Sequence, residues 1–124
     1  MVKEEEFVSE LGPDTGKISI SRDVIATIAG LAAAEVEGTA PPKGEEFPRG
    51  EGARRLVDVQ LTDGHVRVSI KVAVIYGHPI GEVAQALQEK IKEEIEKMTA
   101  LPVDGVDVEV VRVVFTEEEA LGED

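Results

Sequence analysis

The chain has 124 residues, with 13 Lys and Arg against 26 Asp and Glu and a formal charge of -13. A chain of this length can bury about 65% of the surface its unfolded form exposes, so a single core needs no staples. Having no cysteine excludes disulfides, thiolate zinc sites and cysteine nucleophiles and suits a reducing cytoplasm, while so acidic a surface argues against nucleic acid and anionic lipid as partners.

Residues 1–15 hold five acids and one Lys, and residues 116–124 hold five acids and no base. Both stretches read as solvated, flexible acidic tails around one domain over 16–115. The opening Met1-Val2-Lys3-Glu4-Glu5-Glu6 lacks the order of a signal peptide, and no apolar run approaches the roughly 18 to 20 residues of a membrane span. Direct membrane insertion is therefore not expected.

Lys17-Ile18-Ser19-Ile20 alternates as a short strand, entered through Gly12-Pro13-Asp14-Thr15-Gly16. Ser21 then stands where an N-cap belongs, and Asp23 in the first turn suits the helix dipole. From Arg22 to Glu35, Val24, Ile25, Ile28, Leu31 and Ala32 recur at helical spacing, with Gly38 as a stop. Alanine at 26, 29, 33 and 34 points to a helix backbone lying close to a sheet.

Residues 38–53 combine Gly, Pro and charge without periodicity and read as a long loop. Its one large apolar group, Phe47, either pins the loop to the core or serves as an exposed anchor for a partner. A hairpin follows: Val57, Val59 and Leu61, an Asp63-Gly64 turn, then Val66, Val68, Ile70, Val72 and Val74, each set alternating with polar residues.

The second helix is marked by Ile80, Val83, Ala84, Leu87, Ile91, Ile95 and Met98 at three- and four-residue steps, with Pro79 at its opening. The final strand alternates through Val106, Val108 and Val110 and then changes character, with Val111, Val113 and Phe115 on the face that should be wet and Arg112 on the face that should be dry. Either a bulge resets the phase near Val110-Val111 or both faces of the strand's end are covered, the second option burying these residues against another protomer. Phe47, Val111, Val113 and Phe115 are therefore the candidate interaction surface.

No catalytic, cofactor-binding or metal-binding set emerges. His65 and His78 stand at a turn and before a helix with no ligand spacing around them, and Gly77-His78-Pro79-Ile80-Gly81 matches no phosphate-binding loop. Without a reaction centre, an enzyme is not expected. The lack of Trp and Asn, with 31% charged residues, leans towards a heat-adapted source.

The order β-α-β-β-α-β implies an α+β two-layer sandwich, both helices on one face of a mostly antiparallel sheet. Two closures remain open: a ferredoxin-like one, and a K-homology-like one in which the short first strand stays outside the sheet.

The set formed by Gly16-Lys17-Ile18-Ser19-Ile20-Ser21, Val24-Ile25, Ile28-Ala29, Glu35-Val36-Glu37-Gly38, Val74-Ile75-Tyr76-Gly77, Ile80, Val83-Ala84, Gln88, Met98-Thr99-Ala100-Leu101-Pro102-Val103 and Val106-Asp107-Val108-Glu109-Val110 resembles the alkaline shock protein family. These are envelope stress response proteins of Gram-positive bacteria, and the match runs from about Gly16 to Val114. The resemblance implies a non-enzymatic cytoplasmic protein of cell-envelope homeostasis that forms homo-oligomers and is held at the inner membrane face by a small membrane anchor protein. Another branch of the family implies an alternative, control of fatty-acid synthesis through acetyl-CoA carboxylase. RNA binding on a K-homology-like fold fits the acidic, aromatic-poor chain less well. The chain departs from the family pattern at the charged segment after Pro41-Pro42 and at Ala100, where the family usually has Gly.

Overall fold

The computed structural model describes residues 6–9, 18–44 and 46–116. Its central element is β5, His65–Ile75, whose alternating Val66, Val68, Ile70, Val72 and Val74 all face a dry interior. Strand β4, Val57–Thr62, folds back antiparallel from Val57↔Ile70 to Thr62↔His65. The two-residue turn between them puts Asp63 at φ 51° and Gly64 at φ 81°, positive at both positions as a type I′ turn requires. Further along the same edge of β5, the two-residue strand β3, Thr39–Ala40, pairs with Val74 and Ala73. Strand β6, Val103–Val114, runs parallel to β5 on the opposite edge, a pairing that requires the long crossover supplied by the second helix.

Helices α1, Arg22–Ala34, and α2, Ile80–Thr99, cover the face made by Val57, Val59 and the dry residues of β5, and the other face presents Asp58, Gln60, Arg67, Ser69 and Lys71 to water. This is the expected two-layer α+β arrangement. The short strand β2, Ile18–Ser21, does not join the sheet but pairs antiparallel with β1, Glu6–Ser9. The ferredoxin-like closure is thereby excluded, since that topology needs this strand inside the sheet. Strand β1 also lies within the stretch expected to be a flexible tail. The rest of that stretch, and the C-terminal one beyond Thr116, lie outside the described residues.

Ala26, Ala29 and Ala33 are fully buried, and without larger side chains α1 settles close to the layer beneath it. Ser21 accepts from the Val24 N–H at 3.3 Å, the N-cap expected from its position. The helix is capped at Glu35, and the turn after it closes at Gly38, whose φ of 91° is left-handed; a Cβ there would meet the His78 ring at 2.9 Å and Val83 at 3.0 Å. The 38–53 stretch is more ordered than a loop reading suggests, since it holds β3 and the start of a 3-10 helix over Gly50–Arg55. The Gly50 N–H donates to Thr27 Oγ1 at 2.9 Å, and Arg54 reaches Asp23 at 3.4 Å, tying that segment to α1.

The second helix closes with Ala100 in the left-handed conformation at φ 61°, its N–H donating to Glu96 O at 2.9 Å. Thr99 Oγ1 donates to Ile95 O at 2.7 Å and accepts from the Leu101 N–H at 3.2 Å, and the Glu96 carboxylate accepts from the Val103 N–H at 2.9 Å. These bonds set where β6 starts and hence its register on β5. Four residues of the helical stripes are not core: Val24 and Leu31 of α1 and Ile80 and Met98 of α2 are exposed. They lie at the margins of stripes wider than the contact each helix makes with the sheet.

Candidate interaction surface

Strand β6 obeys strict alternation only until Val110. The register on β5 passes from Val72↔Val110 to Ala73↔Arg112, so Val111 is the extra residue of a bulge, and a first shift between Val66↔Val103 and Arg67↔Gly105 makes Asp104 another. The bulge foreseen as one reading of the strand's end is present. Beyond it the phase is reversed: Arg112 stands beside Ala73 on the face that carries Lys71 and Glu109, and Val113 stands beside Val74 on the helix side. Arg112 is thus on the wet face, contrary to an unbroken alternation, because one inserted residue exchanges the faces of everything after it.

The helices cover Val74 completely but not its neighbours at the end of β6. Val111 is 45% exposed, Val113 42% and Phe115 50%. Tyr76, 58% exposed, stacks on Phe115 with ring centroids 5.2 Å apart and an interplanar angle of 27°. The Tyr76 N–H donates to Val114 O at 2.7 Å, which carries the pairing one residue past β5 and brings the two rings together. The result is a patch of Tyr76, Val111, Val113 and Phe115 at the end of a strand that, among the described residues, has a neighbour on one edge only.

Phe47 is not part of this patch. It is 5% exposed and belongs to the core, where a Cβ on Gly30 would lie 3.5 Å from its own, so the loop is pinned and the exposed-anchor reading is closed. Tyr76 is the member missed by sequence reasoning. Its position directly after an alternating strand is a signal, but the stack depends on β5 and β6 being neighbours, which no local pattern states.

A second apolar surface lies between the helices. It is a groove of about 550 Å³ floored by Val24, Ile28, Leu31 and Met98 and rimmed by Asp23, Glu35 and Glu94. At its edge the Lys90 ammonium lies 3.2 Å from Glu35 and 3.6 Å from Glu94. The hydrogen bond to Glu35, and then the charge of that carboxylate, holds Lys90 above its ordinary 10.5.

Chemistry-bearing side chains do not converge in either place. Among the described residues no three His, Asp or Glu side chains are grouped to hold a metal ion, and no helix is long and apolar enough to cross a membrane. His65 pairs with Asp104 at 2.8 Å on the surface, and His78 N–H donates to Ile75 O at 3.2 Å in the turn before α2.

The same ordered set of elements is recognised by comparison with known proteins. The model of the Asp23 family, described by a cell envelope-related function, matches residues 10–115; its name is unrelated to the residue Asp23 of this chain. The uncharacterized protein YqhY of Bacillus subtilis is 33% identical over 107 residues, covering 81% of this chain and 78% of that relative. YloU of the same organism is 32% identical over 109 residues, 82% of this chain and 91% of its own, and Spy1614 of Streptococcus pyogenes serotype M6 is 32% identical over 103 residues, 77% and 85%. No solved structure matches significantly. The resemblance to the alkaline shock proteins thus stands on most of the chain, and the protein belongs to the Asp23 family of cell envelope-related function.

Proposed function

We propose that this protein serves envelope homeostasis as a non-enzymatic interaction protein, associating with copies of itself through the C-terminal half of β6 and reaching the inner membrane face through a protein partner. The observation that carries this reading is the patch of Tyr76, Val111, Val113 and Phe115 at the end of a twelve-residue strand that, among the described residues, has one edge without a neighbouring strand. A long edge strand with apolar side chains is a template for adding another strand, and native proteins cover or blunt such edges. A partner rather than lipid is the route to the membrane, because a chain of charge -13 is repelled by anionic headgroups.

Size-exclusion chromatography with light scattering tests the self-association. The wild-type chain is expected above the monomer mass, and Val113→Asp with Phe115→Asp is expected to return it to monomer with its circular dichroism unchanged. A wild-type chain that stays monomeric up to the highest attainable concentration overturns the reading.

A further inference from the structure

The direction of the backbone groups on β6 follows from the bonds β5 makes. Lys71 N–H donates to Leu56 O at 2.9 Å and Ile75 N–H to Gly38 O at 2.8 Å, so odd-numbered residues of β5 bond towards β4 and β3. Even-numbered residues bond towards β6, as Val66 N–H does to Pro102 O at 2.9 Å and Tyr76 N–H to Val114 O at 2.7 Å. In a parallel ladder a residue bonds to the two flanking its partner and bypasses the partner itself. Val108, opposite Ile70, and Val113, opposite Val74, are therefore bypassed, and their N–H and C=O groups point to the open edge. Gln88 Nε2 already donates to Val106 O at 3.0 Å, which marks where that edge begins.

Resting on the self-association proposed above, we propose that the open edge pairs antiparallel with the same edge of a second copy, about a two-fold axis between Val110 and Val111. This register sets Val108 opposite Val113 of the other copy and Glu109 opposite its Arg112. Both members of the first pair direct backbone groups outward and both side chains lie on the helix side. Both members of the second lie on the wet face with opposite charge, and neither has an ion-pair partner among the described residues. Because the axis is two-fold, each pair occurs twice. The bulge makes the match possible, since the extra Val111 reverses the phase at the axis. Other registers fail on the same residues: Val108 against its own copy sets Asp107 opposite Glu109, and Val110 against its own copy sets Val108 against Arg112, which point to opposite faces.

The test is a charge exchange read as the dimer dissociation constant by sedimentation equilibrium. Glu109→Arg alone and Arg112→Glu alone each place two like-charged pairs across the axis and are expected to weaken the dimer about tenfold or more. The double variant restores opposite charges and is expected to recover wild-type affinity. A second readout exploits the absence of cysteine. An oxidised mixture of Val108→Cys and Val113→Cys is expected to cross-link between the two variants, because a bonded antiparallel pair has Cα atoms about 5.5 Å apart. Either variant alone is expected to stay uncross-linked, its two cysteines being about 17 Å apart along the strand. If the wild-type chain never associates, self-association itself fails. If it associates and Val113→Asp with Phe115→Asp disrupts it, but the exchange does not rescue and the mixture does not cross-link, this register is overturned and self-association stands.

Discussion

Ala100 and Gly38 are two left-handed positions at which the presence or absence of a Cβ has opposite consequences. At φ 61°, Ala100 occupies a conformation that costs an L-residue roughly 1–2 kcal/mol, partly offset by the greater freedom glycine has when unfolded. Ala100→Gly is therefore expected to stabilise the protein by about 0.5–1 kcal/mol in urea denaturation. Gly38→Ala is the opposite case, combining a left-handed φ with a clash against the His78 ring and Val83, and should lose about 2 kcal/mol or more. The sequence places both residues at helix ends, yet only one is a glycine. That Ala100 is left-handed anyway could not be read from its identity, because the conformation is imposed by Thr99, Glu96 and the start of β6 around it.

Elements with a local hydrophobic period were legible: the β4–β5 hairpin from its alternation around Asp63-Gly64, and α2 from its recurring apolar residues. Strands β1 and β3 and the parallel β5–β6 pairing were not, since they depend on hydrogen bonds between distant segments. The interaction surface was half legible. Val111, Val113 and Phe115 declare themselves by breaking alternation, whereas the presence of the bulge needed the register on β5. Phe47 lay between two readings because burial of a loop residue is a tertiary fact. Its burial makes the 38–53 segment part of the core, so Phe47→Ala should cost about 3 kcal/mol or more by thermal or chemical denaturation, and a loss under 1 kcal/mol would contradict this role. Between the helices, Lys90 bridges Glu35 and Glu94 with its pKa raised. A raised value means that the stabilisation is whole below 10.5 and is lost as pH rises through the folded-state value. Melting temperature followed into that alkaline range should fall more steeply for the wild type than for Lys90→Gln.

On the scale of the whole molecule, charge opposes association while shape and apolar exposure favour it. Two copies each carrying -13 repel one another over distances that salt screens, whereas a directly apposed Glu109–Arg112 pair is screened less. Raising ionic strength from low values to about 0.15 M is therefore expected to tighten self-association, and a dimer that weakens monotonically with salt would point to attraction between surface charges as its main cause. The β1–β2 ribbon carries a different kind of consequence. It is bonded to no strand of the main sheet, and two-stranded ribbons are marginal by themselves, while β5 is bonded along both edges. The molecule should thus open in two stages: amides bonded within the ribbon exchange with solvent through frequent local opening, and those of β5 exchange only when the entire sheet comes apart.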